Sequence, residues 1–404
     1  MNTSSTNKPS ISASSREYLE ILNPTVLQPI DTLRLPKLDS IGRKDLFLIE
    51  QDAGNYSVMQ SDGLINKKEL NEVFKSSNTQ LIDEKIIVSS LKVEGINLNE
   101  DFSLSFLHSY DLRYKLREEL IDNLNRLDCL TEYIGFVSWS RESLNIPIAL
   151  VNKTYKNSMN LETWIVKELK ALSGIHDTKS IKLSTDTLSQ LFEALGVSLA
   201  QLHNQIFQRS SFNNEGSFLN SSPYSQSDYE VFRQGLYRFI QKHDSQFDGI
   251  AIEAIYDSLN RELGNSLGIK LRCHGNLELN QIFKTTKGLK ITDFYSVSPY
   301  SVRLNSQINT PIGDLADIII SIRSLIGSTE GRMIADIEEI INNLEESCKK
   351  AYLSSINFPL PEEPNNLLKA KLIEKTIIRL THYRLQNDEE NQELYQSILN
   401  SLIF

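Results

Sequence analysis

The run Arg272-Cys273-His274-Gly275-Asn276-Leu277-Glu278-Leu279-Asn280-Gln281, followed by Ile291-Thr292-Asp293-Phe294-Tyr295, gathers an imidazole, carboxamides and carboxylates into one short stretch. His274 and Asn276 on either side of Gly275 suit a tight turn, because Asn tolerates turn geometry well. The Asn276 carboxamide can donate and accept hydrogen bonds, but it takes up no proton near neutral pH. An Asp-Phe pair on a strand, as at Asp293-Phe294, is common and says little alone. His203 lies within an apolar helical face and reads as a satisfied core histidine. Thr310-Pro311-Ile312-Gly313-Asp314-Leu315-Ala316 adds one more carboxylate downstream, in a segment read as structural.

Spacing makes the set specific. Leu271 to Gln281 resembles the His-Gly-Asp-Leu-His-x-x-Gln loop of maltokinases, relatives of the aminoglycoside phosphotransferases. Ile291 to Tyr295 is similar to their Ile-Asp-Phe-Glu strand, and Thr310 to Ala316 to their Ser-Pro-Leu-Arg-Asp-Val-Ala segment, at a matching distance. Weaker likenesses extend the match. Ile148 to Leu169, with Trp164, resembles an apolar strand running into a Trp-containing helix. Leu195-Gly196 to Leu202-His203 resembles the family's Leu-Gly-x-x-x-Ala-x-Leu-His helix. Ile373 to Leu385 is similar to its C-terminal helix, without the characteristic tyrosine spacing. The resemblance spans roughly residues 85–404 and is sharp from 271 to 316.

The resemblance implies roles. His274 would brace the loop, Gln281 and Asp293 would bind Mg2+ and with it ATP, and Asp314 would anchor the loop backbone from a helix. Phosphoryl transfer is mainly positioning plus neutralisation of charge. A carboxylate and an amide oxygen are hard donors of the kind magnesium takes.

Against the family pattern, three departures converge. Asn276 stands where the aspartate base belongs, and a general base contributes typically ~10²–10⁴-fold. Ser105 falls where the phosphate-binding lysine belongs, and Lys115 where its glutamate partner belongs, with Glu118 and Glu119 about a turn further on. Lys92 would have to reach the phosphates from a neighbouring strand. Glu94-Gly95-Ile96-Asn97 is a poor substitute for a Gly-rich loop. The reading is a pseudokinase that binds nucleotide or a saccharide in a regulatory or accessory role, its expected partner a protein or a saccharide ligand. The alternative is an active ATP- and Mg2+-dependent kinase acting on maltose or a related saccharide. A fainter third reading is transfer of a different nucleotide moiety.

The elements that must position these groups are expected to form an α+β, two-lobed protein-kinase-like fold. A disordered tail over 1–15 precedes a mixed N-terminal lobe over 16–150 and a mainly helical lobe over 151–404. Short apolar or alternating runs at Asp45–Glu50, Lys85–Ser90, Phe102–Leu107 and Ile146–Asn152 read as strands. Pro147 is expected at a strand start or edge. Leucines at helical spacing predict helices from Leu112 to about Leu130, Leu161 to Ala171 and Leu188 to His203. Residues 210–229 read as a surface loop, and Tyr229 to Leu263 as helical. From Ile312 onward the chain reads as helix, broken near Pro359, Pro361 and Pro364.

With 404 residues and 40% hydrophobic content, the chain can build one large or two modest cores. A formal charge of −10 argues against nucleic-acid or anionic-membrane partners. No apolar run approaches the ~20 residues of a membrane span. Cys129, Cys273 and Cys348 are too scattered for a disulfide framework or zinc site, which suits a cytoplasmic setting.

Overall fold

The computed structural model describes residues 31–34, 45–52, 55–60, 102–106, 110–111, 124–141, 144–153, 159–172, 178–212, 220–247, 250–261, 263–294, 308–329 and 337–404. They divide into two compact units: residues of 1–121, 132–154 and 295–305, and residues of 122–131, 155–294 and 306–404.

Apart from Glu132, the described residues of the first unit are strands. β1 (Asp31–Arg34), β2 (Asp45–Asp52), β3 (Asn55–Gln60) and the short β5 (Tyr110–Asp111) form one antiparallel sheet in that order. β4 (Phe102–Phe106), β7 (Leu144–Lys153) and β6 (Tyr133–Arg141) form another, with β7 in the middle. Among the described residues β4 pairs with Ala149–Lys153, so Pro147 lies beyond that pairing, opposite Ser138 of β6. The register also slips between Val137 and Ser138, opposite that proline. A residue without an amide N–H is tolerated at such a place. Ser105 lies on β4 opposite Leu150. Lys85–Ser90, Lys92, Glu94–Asn97, Lys115, Glu118, Glu119 and Tyr295 lie outside the described residues, as does the tail 1–15.

The second unit is mainly helical. α1 spans Leu161–Leu172 and α2 spans Thr178–Arg209. α3 (Gln226–Lys242) and α4 (Ile252–Leu259) follow, then α5 (Ile312–Arg323), α6 (Ile337–Ser355), α7 (Pro364–Gln386) and α8 (Glu389–Ile403). Pro364 opens α7 at the first turn, where its missing N–H has no helical partner to lose. α5 is buried along almost its whole length, from Ile312 to Ile322, which marks it as the central helix of the unit. α7 packs on α5 and α8, and α2 packs on α6. The α2–α6 approach depends on Gly196. A Cβ there would overlap the Cys348 carbonyl oxygen and lie 2.9 Å from the Tyr352 nitrogen.

Three expectations need correction. The polar stretch 210–229 is not all loop, because β8 (Ser211–Phe212) and β9 (Asn220–Pro223) join a sheet ordered β13–β10–β9–β8. Its other members are β10 (Ile269–Arg272) and β13 (Ile308–Asn309). Ladder bonds are made by backbone, so a Ser- and Asn-rich segment can pair when β10 supplies the apolar side chains. Tyr229 to Leu263 is not one helix. A 3-10 turn at Asp244–Gln246 separates α3 from α4, in a stretch where Asp244, Ser245 and Gly249 favour helix poorly. α3 instead begins earlier, at a Ser225–Asp228 capping box. Finally, helix does not continue to Leu130. Residues 126–130 are turn and bridge, with Leu130 paired to Ile291, while 112–123 lie outside the described residues. Among the described residues, no helix is long and apolar enough to cross a membrane.

Candidate functional site

β10 delivers His274, and the hairpin of β11 (Ile282–Thr285) and β12 (Gly288–Ile291) closes the far end of the loop. Ile282 pairs with Ile291, so Gln281 and Thr292 face each other one step beyond the ladder. The Gln281 carbonyl accepts the Thr292 N–H at 2.9 Å and the Thr292 hydroxyl at 3.2 Å. Asp293 follows at once, 2% exposed and with φ of +59°. Aspartate is among the few non-glycine residues that enter this left-handed region. Gln281 and Asp293 are thus brought to the same end of one hairpin.

Inside the loop, Gln281 also serves the local fold. Its Oε1 accepts the Glu278 N–H at 2.9 Å, closing a 3-10 turn over Leu279–Gln281. An amide oxygen has a second lone pair, so this bond does not exhaust it.

Asp314, fully buried on α5, holds the start of the loop. Its Oδ2 accepts the His274 N–H at 2.7 Å and its Oδ1 accepts the Gly275 N–H at 2.8 Å. Burial alone would raise this carboxyl, but the hydrogen bonds from His203 and from the Gly275 N–H hold it below the usual carboxylate value. His203 Nε2–H donates to Asp314 Oδ2 at 3.0 Å, and the Tyr352 hydroxyl lies 2.9 Å from Nδ1. Burial pushes that phenol well above its ordinary value, so it keeps its proton to donate. His203 is therefore a buried histidine with both nitrogens engaged, tying α2 and α6 to α5.

The His274 ring is fully buried. Its Nε2–H donates to the Thr292 carbonyl at 2.8 Å, which links the loop to the Asp293 strand. Burial lowers its pKa against the pull of Asp314, so the ring is neutral. Nδ1 is then a bare acceptor, and among the described residues it has no hydrogen-bond partner. Phe294 meets the ring edge-on, with centroids 5.8 Å apart.

Asn276 sits between these anchors, 8% exposed. Among the described residues, no side chain hydrogen-bonds its carboxamide.

A second network went unread in the sequence. Lys375 of α7 donates to the Gly275 carbonyl at 3.1 Å and to Asp317 Oδ2 at 2.7 Å. Arg379, one turn later, pairs with Glu278 at 2.8 Å and stands 3.8 Å from Asp317 Oδ1. Burial pushes the Asp317 carboxyl up to about 6 against the pull of Lys375 and Arg379, so it is ionised at neutral pH. Lys371, Lys375 and Arg379 recur every four residues within a buried helical stretch, and that spacing was the available signal.

What can the set hold? Among the described residues there is no cluster of three or more His, Cys, Asp or Glu side chains able to bind a metal. One carboxylate and one amide oxygen are nonetheless a fit for magnesium, which keeps several waters and takes its remaining oxygens from phosphates.

No protein-family model and no curated protein sequence matches the chain. Solved structures do. Glucosamine kinase in complex with glucosamine, ADP and inorganic phosphate superposes with a TM-score of 0.60 at 13% identity, over 95% of this chain and 96% of that one. A second glucosamine kinase structure, crystal form B, gives 0.59 at 12% identity, over 93% and 94%. At such identity the likeness is one of fold, and the fold is kinase-like and α+β.

Proposed function

We propose that this chain is a maltokinase-like pseudokinase: a phosphotransferase-fold protein that binds a magnesium nucleotide or a saccharide without efficient turnover, in a regulatory or accessory role. The observation that carries the reading is Asn276. By the resemblance it stands at the base position of its loop, and the loop's backbone is tied down at His274, Gly275, Gln281 and Thr292. The scaffold for chemistry is kept, while the ionisable group is replaced by an amide. Asp317 is no substitute, being fully buried and held by Lys375. Gln281 and Asp293 would hold the metal, which when bound would neutralise phosphate charge. His274 would keep the Asp293 strand against the loop.

Incubation with Mg-ATP and maltose, glucose or trehalose is expected to release no ADP above background. Sustained sugar-dependent ADP production would overturn the pseudokinase reading. It would favour the alternative, an active saccharide kinase in which a loose transition state leaves the base little work. The anchored loop is what speaks for that alternative. Asn276→Asp separates the cases further: turnover rises if only the carboxylate is missing, and stays at background if the phosphate-binding groups are lost as well.

A further inference from the structure

Gly275 has φ of +84°, and a Cβ added there would meet nothing within 4 Å. Glycine leaves the peptide joining Gly275 to Asn276 unusually free to rotate, so the hydrogen bonds on either side of it bear on its orientation. The Gly275 N–H is taken by Asp314, but that bond fixes only the preceding peptide. The carbonyl side, which shares a plane with the Asn276 nitrogen, is held by Lys375.

Lys375 is itself held. Its ammonium lies 2.7 Å from Asp317, a residue of zero exposure one helical turn after Asp314 on α5. α5 thus reaches Gly275 twice, directly through Asp314 and indirectly through Asp317 and Lys375. Rotation of the Gly275–Asn276 peptide would change φ of Asn276 and swing its Cα–Cβ bond.

We propose that Lys375, held by Asp317, is a positioning residue: its hydrogen bond to the Gly275 carbonyl sets the direction in which Asn276 presents its side chain. The functional consequence rests on reading 274–281 as the loop of a phosphotransfer site. The positioning itself does not. It also makes α7, the long C-terminal helix, part of the loop's control, alongside the Arg379–Glu278 ion pair.

The competing account is that Lys375 merely neutralises Asp317. Selective labelling separates the two. With 13C′-glycine and 15N-asparagine, only Gly54–Asn55, Gly264–Asn265 and Gly275–Asn276 give a carbonyl-to-amide correlation. Urea denaturation is followed in parallel. Lys375→Met is expected to lower the urea midpoint and to move and split the Gly275–Asn276 correlation, leaving the Gly264–Asn265 correlation in place. Asp317→Asn combined with Lys375→Met restores charge balance without restoring the bond to Gly275. That double variant is expected to regain the midpoint while its Gly275–Asn276 correlation stays displaced. A wild-type correlation in the double variant, or in Lys375→Met alone, would overturn the proposal. The measurement uses no nucleotide, so a chain that fails to bind Mg-ATP would sink the pseudokinase reading and leave this result standing.

Discussion

His203 and Asp314 meet at 3.0 Å with both side chains out of reach of solvent, and on that contact three helices and the loop converge. Asp314 spends its remaining acceptor capacity on the N–H groups of His274 and Gly275. Removing His203 strips a donor from a buried carboxylate, and a hydrogen bond to a charged group is worth about 1.5–3 kcal/mol. His203→Ala should approach that figure in urea denaturation. Tyr352→Phe removes only the hydroxyl facing His203 Nδ1 and should cost about 1 kcal/mol. Equal losses for the two variants would mean that the Asp314 contact carries no special weight.

Gly196 and Gly313 make a contrasting pair. Gly196 faces the α6 backbone at Cys348 and Tyr352 with no room for a methyl group, whereas among the described residues nothing comes within 4 Å of a Cβ at Gly313. Gly196→Ala must push α6 away and draw Tyr352 off His203, so a loss of about 1–3 kcal/mol is expected, as for other overpacked cores. Gly313→Ala should instead stabilise α5 by about 0.5–1 kcal/mol, the helix advantage of alanine over glycine. Thermal denaturation of the two variants should move in opposite directions. A neutral Gly196→Ala would show that α2 and α6 do not depend on close approach.

How much of this could be read beforehand follows from where each contact comes from. His274, Gln281, Asp293 and Asp314 were legible as positions because they belong to short local segments with fixed spacing. Their mutual geometry needed the β11–β12 hairpin and α5, both of which left apolar signals. Lys375, Asp317 and Arg379 were not read, because what joins them is the packing of α7 on α5 across a long sequence separation. Strands β8 and β9 were hidden for another reason: Ser211, Asn220, Ser221 and Ser222 look like loop, and their pairing is carried by backbone. Leucine stripes made α1 plain, and α2 from Leu188 to His203, since amphipathic periodicity is what builds them; the ends of α2, out to Thr178 and Arg209, lie beyond the stripe.

Asp293 carries two burdens, a left-handed backbone and the proposed metal contact, and substitution can separate them. Asparagine tolerates φ near +59° as aspartate does, whereas alanine pays about 1–2 kcal/mol there. Asp293→Asn should thus fold with stability within about 1 kcal/mol of the parent chain, and Asp293→Ala should be weaker by about that strain. In a thermal-shift titration with Mg-ATP, the parent should rise in Tm by linkage while both variants stay flat. Retention of the shift in Asp293→Asn would remove Asp293 from the proposed metal site.

His382 gives the fold a predictable sensitivity to acid. Burial lowers its pKa from the ordinary 6.5 to about 4, although Gln386 and Asp388 pull the other way. The folded chain therefore keeps this ring neutral over a range in which the unfolded chain protonates it. Stability must fall as pH drops from about 6.5 towards 4, because the unfolded state binds the extra proton. At 1.36 kcal/mol per unit the ceiling is about 3 kcal/mol. His382→Gln should cost stability at pH 7.5, where it forfeits the native contacts. It should close that gap, or reverse it, by pH 4.5, where the parent bears the protonation penalty and glutamine does not. His274, also lowered by burial, titrates identically in both chains and cancels from the comparison. Urea denaturation at the two pH values decides the matter: parallel pH dependences for parent and variant would mean that His382 is not the group holding its proton off.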